Sequence, residues 1–141
     1  TDTKQLELNG LLKQYLQDYE EVYDYRNIEV TIDEQDIFNV TMNESLAVAL
    51  LTNLLKNAFV HNIDGGHIRI TVTKNSITFR NSGVENPLDK EHIFERFYQG
   101  TKKEGSTGLG LAIADSICRL QHLSIRYYFE QKEHCFEISR Q

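Results

Sequence analysis

Gly105-Ser106-Thr107-Gly108-Leu109-Gly110-Leu111-Ala112-Ile113 is a glycine-rich stretch that runs directly into an apolar-periodic segment. Ser106 or Thr107 can cap the helix that follows, and the glycines let a ligand approach bare backbone. Free N–H groups at a helix N-terminus attract anions, so phosphate is the first chemistry this stretch suits. A second unusual feature lies upstream. Asn53 and Asn57 sit one helical turn apart, on nearly the same side as Leu50 and Leu54. Two amides on a core-facing stripe cost free energy unless partnered. Either they are satisfied buried groups, or the stripe lines a cleft. In a cleft, the Asn57 carbonyl oxygen suits a hard cation such as Mg²⁺, which takes oxygen ligands and substrate phosphates.

Two further pieces lie between these motifs. Ile77-Thr78-Phe79-Arg80-Asn81-Ser82-Gly83 reads as a strand that delivers a polar side chain at its tip and then turns. Ile93-Phe94-Glu95-Arg96-Phe97-Tyr98 places two aromatic rings at i,i+3, the spacing of a core anchor on a helix. Each alone is an ordinary structural element.

The elements that must position these residues follow from periodicity. Leu6 and Leu8 give a short strand at most. Asn9 reads as the N-cap of a helix over 10–25 with the stripe Leu11, Leu12, Tyr15, Tyr19, Val22 and Tyr23. Ile28–Ile32 alternates as a strand, and 37–40 is a second short one. Asn43 or Thr41 opens a helix over 43–61 with Leu46, Leu50, Leu54 and Ala58 along one side. Residues 67–73 and 76–80 form a hairpin around Lys74-Asn75. Asp89 caps a short helix reaching Tyr98, and 100–105 is a polar, basic, mobile loop. A helix over 107–121 turns Leu109, Ile113, Ile117 and Leu120 inward, and a hairpin of 124–129 and 134–139 closes the chain. Helices segregated from a mainly antiparallel sheet give an α+β fold, a two-layer α/β sandwich.

Length and composition bound the function. The 141 residues suit one domain spanning 1–141, and 40% apolar with 26% charged residues is ordinary for a globular chain. A net charge of −6 argues against nucleic acid as a partner, because phosphate backbones need a basic face. An acidic chain that binds a polyphosphate must concentrate its cations locally or recruit a metal ion. Cys118 and Cys135 lack CxxC spacing and fall in apolar patterns, so both read as buried thiols. No apolar run approaches the length of a membrane span, and no direct membrane contact is expected. A first residue of Thr rather than Met is expected of a fragment of a longer protein.

The order of the pieces discriminates among phosphate-binding classes. A P-loop needs Gly-Lys-Ser/Thr, and a dinucleotide fold needs a strand just before the glycines; both are missing. Asn53-Leu54-Leu55-Lys56-Asn57-Ala58, Asn81-Ser82-Gly83, Ile93-Phe94-Glu95-Arg96-Phe97-Tyr98 and Thr107-Gly108-Leu109-Gly110-Leu111, in this order, resemble the ATP-binding catalytic domain of two-component sensor histidine kinases. That domain belongs to the gyrase/Hsp90/histidine kinase/MutL ATPase superfamily. The resemblance spans the whole chain and is strongest from Leu50 to Ile117.

The resemblance implies a Bergerat-type fold, a mixed and mostly antiparallel sheet of about five strands covered on one face by about three helices. It implies ATP and Mg²⁺ as cofactors, with Asn57 as metal ligand and Asn53 beside it orienting phosphate or water. Asn81 would read the adenine and Gly83 give it room. His61, Tyr98, Thr107, Leu109 and Leu111 would join the nucleotide contacts, with Gly108 and Gly110 presenting N–H groups to the phosphates. Phe94 and Phe97 would anchor the hinge of a lid over about 99–106. This chain departs from the family pattern at Asn81 for aspartate, Glu85 for glycine, Val60 for lysine and Gln99 for arginine. Arg96, Lys102 and Lys103 are the cations expected to compensate.

The implied reaction is transfer of the ATP γ-phosphoryl to a histidine. The five histidines here, 61, 67, 92, 122 and 134, lack the His-Glu-x-x-x-Pro setting of an acceptor. The acceptor is therefore expected on a dimerisation domain of the same protein, upstream, with a response regulator as further partner. The domain itself is expected to be monomeric in a homodimeric parent. It is expected in the cytoplasm, whether or not the parent is anchored in the inner membrane. The alternatives are a degenerate nucleotide-binding interaction module and another ATPase of the superfamily.

Overall fold

The computed structural model describes residues 2–98 and 108–141. In chain order these form β1 (Lys4–Glu7), α1 (Leu8–Val22), a 3-10 turn (Asp24–Arg26), β2 (Glu29–Glu34), β3 (Asn39–Met42) and α2 (Glu44–Val60). There follow β4 (His67–Val72), β5 (Ser76–Asn81), α3 (Gly110–Leu120), β6 (Leu123–Glu130) and β7 (Glu133–Arg140). The main sheet has the order β2-β4-β5-β7-β6, and β1 pairs with β3 in a separate ribbon. β2 runs parallel to β4, and the other pairings are antiparallel. The expected α+β architecture, three helices on a mixed five-stranded sheet, is what forms.

Alternation along the strands sets the two faces. Ile68, Ile70, Val72, Ile77, Phe79, Phe136 and Ile138 are buried in the core with Leu50, Leu51, Leu54 and Leu55 of α2. Asn81 and His134 lie opposite each other on that same helix-covered side. The other face is polar. There Arg69 donates to Glu133 through Nε at 2.8 Å and Nη2 at 2.7 Å, while His67 Nε2 meets the same carboxylate at 2.7 Å. The guanidinium holds the Glu133 carboxyl down at about 2.

Both ends of α2 are fixed. Asn43 accepts from Leu46 N–H at 3.0 Å, the expected N-cap. At the other end Arg26 donates to the Phe59 and Asn62 carbonyls and to Asp64. Of these, Phe59 O belongs to the last turn of α2, whose carbonyls lack the usual intrahelical partner, and the other two lie just beyond it. Buried Asn62 donates to Ala58 O and His67 O and accepts from the Ser82 hydroxyl at 2.6 Å, knotting α2 to β4 and β5. Gly66 is required there: a Cβ would stand 2.2 Å from Asn62 Oδ1 and 2.4 Å from Ser82 Oγ.

Several expectations need correction. Asn9 does not cap a helix over 10–25. The α1 helix starts at Leu8, and Asn9, inside its first turn, accepts from Phe38 N–H and donates to Glu34 and Asp36 O. Leu8 and Leu16 join its buried stripe, whereas Val22 is 64% exposed. No helix spans 89–98; successive turns close through His92 N–H to Asp89 O and Glu95 N–H to His92 O. The i,i+3 spacing therefore does not place both rings on one side. Ile93 is buried and Phe94 packs edge-on against Phe136, but Phe97 is 65% exposed and is no core anchor.

The last helix begins at Gly110 rather than 107, and it buries Ala112, Ala114, Ile117 and Cys118. Ile113 and Leu120 are not on that buried side: they are 42% and 66% exposed. The caps Ser106 and Thr107 and the loop 100–105 lie outside the described residues. Both cysteines are buried, which pushes Cys118 up to about 12 and Cys135 up to about 11.

Candidate functional site

A cavity of about 190 Å³ opens between the C-terminal half of α2 and the start of α3. Asn53, Lys56, Asn57, Val60 and His61 form one wall, and Tyr98 and Gly108–Leu111 with Ile113 form the other. The four α2 positions and His61, the residue that follows the helix, share a face because they recur three and four residues apart. The two amide residues and the glycine stretch, some fifty residues apart in sequence, thus meet as the motif order predicts.

The local geometry explains the residue types. Asn53 donates to Ala49 O at 2.7 Å, which turns its Oδ1 toward Gly110. A Cβ on Gly110 would stand only 3.0 Å from that oxygen. The Asn57 amide is half-buried and makes no hydrogen bond to a described residue. Its side chain lines the cavity. Gly108 has φ +76°, and a Cβ there would lie 2.7 Å from the Phe97 Cα. Phe97 N–H donates to Gly108 O, so this glycine also closes the strand of turns onto α3. Gly110, Leu111 and Ala112 open a helix, and their N–H groups have no intrahelical acceptor.

The donor set fits a hard cation held jointly with phosphate. Two amide oxygens are on hand, and the described lining contains no carboxylate that would repel a polyphosphate. Lys56 is the one cation among the described lining residues. It was not singled out from the sequence, although its place four residues before Val60 puts it on the same face.

The other expected site residues distribute as follows. His61 and Tyr98 line the cavity, and the Tyr98 hydroxyl accepts from Asp89 N–H. Asn81 and Gly83 do not line it. Gly83 packs behind the wall: a Cβ there would meet the His61 carbonyl at 2.8 Å and the His134 ring at 3.1 Å. Asn81 is buried, donates to Ser82 O at 2.8 Å, and leaves its Oδ1 as the one buried side-chain acceptor without a partner among the described residues. Arg96 is exposed, stacked over the Phe97 ring and away from the lining. Lys102, Lys103, Thr107 and Gln99 lie outside the described residues.

Comparison with known proteins shows the family of the chain. Residues 42–139 match the family described as histidine kinase-, DNA gyrase B- and HSP90-like ATPases. The heme sensor protein HssS of Staphylococcus aureus strain Newman is 33% identical over 127 residues, covering 86% of this chain and 28% of its own length. The chain thus spans little more than a quarter of such relatives. The catalytic domain of histidine kinase ThkA superposes with a TM-score of 0.85 at 25% identity, covering 98% of this chain and 94% of that one. A structure of ThkA in complex with response regulator TrrA matches with a TM-score of 0.79 at 24% identity, over 96% of this chain and 40% of that one. This chain belongs to the family of histidine kinase-, DNA gyrase B- and HSP90-like ATPases, and within it to the catalytic domains of sensor histidine kinases.

Proposed function

We propose that residues 1–141 act as one nucleotide-binding domain that holds ATP with Mg²⁺ and presents the γ-phosphoryl to a histidine on the dimerisation domain of its parent protein. One observation carries the reading: Asn53 and Asn57 face the glycine-opened N-terminus of α3 across a single cavity. Its volume is below the roughly 300–1,000 Å³ that encloses a drug-sized ligand, so it takes the phosphate end rather than the whole nucleotide. The purine end then falls toward His61, Gly83 and the unpartnered Asn81 Oδ1, an acceptor suited to the adenine amino group.

On this reading Asn57 Oδ1 ligates the metal and Asn53 Oδ1 orients a phosphate oxygen or water. A bound Mg²⁺ supplies charge neutralisation on the phosphates. The N–H groups of Gly110 and Leu111 with Lys56 hold the phosphates, and His61, Tyr98, Gly108 and Leu109 wall the cleft. Arg96, Lys102 and Lys103 are assigned as compensating cations and Thr107 as a nucleotide contact on the family motif alone. Catalysis then rests on positioning and electrostatics, with no covalent step on this chain. The same reading puts the domain in the cytoplasm, monomeric by itself and dimeric through its parent, with a response regulator downstream.

Binding of a fluorescent ATP analogue tests the site. Asn57→Ala is expected to abolish binding without unfolding the chain; unchanged binding would refute the metal assignment. Acid-labile, base-stable label from radiolabelled ATP on the parent's acceptor helices tests the transfer. Binding without transfer to those helices would leave a nucleotide-dependent docking module instead.

A further inference from the structure

His134 is 4% exposed and lies on the helix-covered side of the sheet, opposite Asn81. Its Nε2 is 2.7 Å from Val84 O, and a carbonyl can only accept, so Nε2 carries a proton. Its Nδ1 is 2.8 Å from the Tyr127 hydroxyl, which in turn accepts from Leu88 N–H at 3.0 Å. In the neutral ring Nδ1 therefore accepts the Tyr127 proton, and one relay ties both ends of the 84–88 segment to the sheet. Phe129 packs on the other flank of the imidazole, with ring centroids 4.8 Å apart. The ring also backs Gly83, whose other neighbour is the carbonyl of His61 in the cavity wall.

We infer that neutral His134, with Tyr127, is a positioning residue of the nucleotide site: it clamps the segment after β5 so that Asn81 and Gly83 stand at the purine end. This rests on the ATP reading of the cavity. Protonation undoes the clamp for a geometric reason. A proton on Nδ1 would face the Tyr127 proton, and turning that hydroxyl away strips it of its acceptor in a buried site. Burial already disfavours the charged ring and moves its titration below the ordinary value, against a smaller opposing effect of the Val84 carbonyl. The groups around it do not offset this. Tyr127 faces it from β6, with Tyr98 beyond, and His61 stands across Gly83 at the end of α2. On the segment itself, Glu85 pairs at 4.0 Å with Lys132 in an exposed contact. Glu133 and Cys135, its chain neighbours, point to the opposite sheet face.

The test follows the His134 ring, the Val84 and Leu88 amides and ATP affinity together by NMR from about pH 7.5 to about pH 5.5. The ATP phosphates titrate in the same range, so the chain is compared with His134→Gln, which shares that contribution. Ring and amides are expected to shift with one midpoint, and affinity to fall about fivefold more than in His134→Gln, one hydrogen bond's worth. Tyr127→Phe, which keeps the ring packing, is expected to weaken ATP already at the upper pH and to flatten the profile. Titration of the ring without movement of the Val84 and Leu88 amides overturns the clamp. So does a pH profile that His134→Gln and Tyr127→Phe leave unchanged. Absence of ATP binding at every pH refutes the reading of the cavity instead, and the amide shifts still decide the clamp.

Discussion

Lys56 and Asn81 show how individual side chains adapt this site. Lys56 is exposed, makes no ion pair with a described residue and borders the cavity beside both asparagines. Lys56→Ala is expected to weaken ATP about fivefold while leaving adenosine affinity unchanged, the mark of a lost charge-assisted phosphate contact. Isothermal titration of both ligands at low and high salt measures this, since the difference should shrink as salt screens it. Asn81 differs, because its amide serves the protein as well as any ligand. Nδ2 donates to Ser82 O, so a carboxylate in its place would set an oxygen against that carbonyl. Asn81→Asp is expected to cost the unliganded chain about 1–3 kcal/mol. A thermal melt should show the lowered Tm, and ATP should raise it by a larger increment than in the parent chain.

At the scale of elements, α2 is the part on which the site depends, because its C-terminal end carries Asn53, Lys56 and Asn57 and positions His61 just beyond it. Packing alone leaves a helix end free to fray, and here Arg26 prevents it with three acceptors: Phe59 O, Asn62 O and Asp64. Its side chain is largely covered, at 13% exposure, so the bonds to the two carbonyls are partly shielded from water while Asp64 stays exposed. Arg26→Met keeps the aliphatic stem and removes the donors. A loss of about 2 kcal/mol is expected, together with faster hydrogen exchange at the amides of 58–62. Urea denaturation and exchange NMR separate the two effects. Local fraying without loss of global stability would show that the cap serves the site alone.

Over the whole molecule, acid stability should fall in two steps set by opposite faces of the sheet. Glu133 titrates at about 2 in the folded chain against an ordinary 4.5. Its contribution is therefore complete above 4.5 and is lost as pH falls toward 2. With the partner Arg69 half exposed, the step is about 2 kcal/mol rather than the full value of the shift. His134 is also lowered, from 6.5, so the unfolded chain takes up its proton first and stability declines as pH drops below 6.5. Denaturant midpoints measured across pH should show both declines. Glu133→Gln is expected to erase the lower one and His134→Gln the upper one.

Local chemistry was written in the sequence. The Asn43 cap, the 67–72 and 76–81 hairpin and the amphipathic spacing of α2 depend on neighbours within a few residues, and periodicity reads such neighbours directly. The order of the asparagine, Asn-Ser-Gly, Phe-x-x-Phe and glycine pieces also sufficed to name the family. Folding in three dimensions decided the rest, because the deciding contacts join residues far apart along the chain. Asn9 looks like a cap until Phe38, 29 residues away, claims its oxygen. Ile113 looks like core, but α3 buries Ala112, Ala114, Ile117 and Cys118 and leaves Ile113 on the cavity side. The His134–Tyr127–Leu88 relay carries no local signature, since a side chain's partners across a fold are set by which strands pair and which helix lies above them.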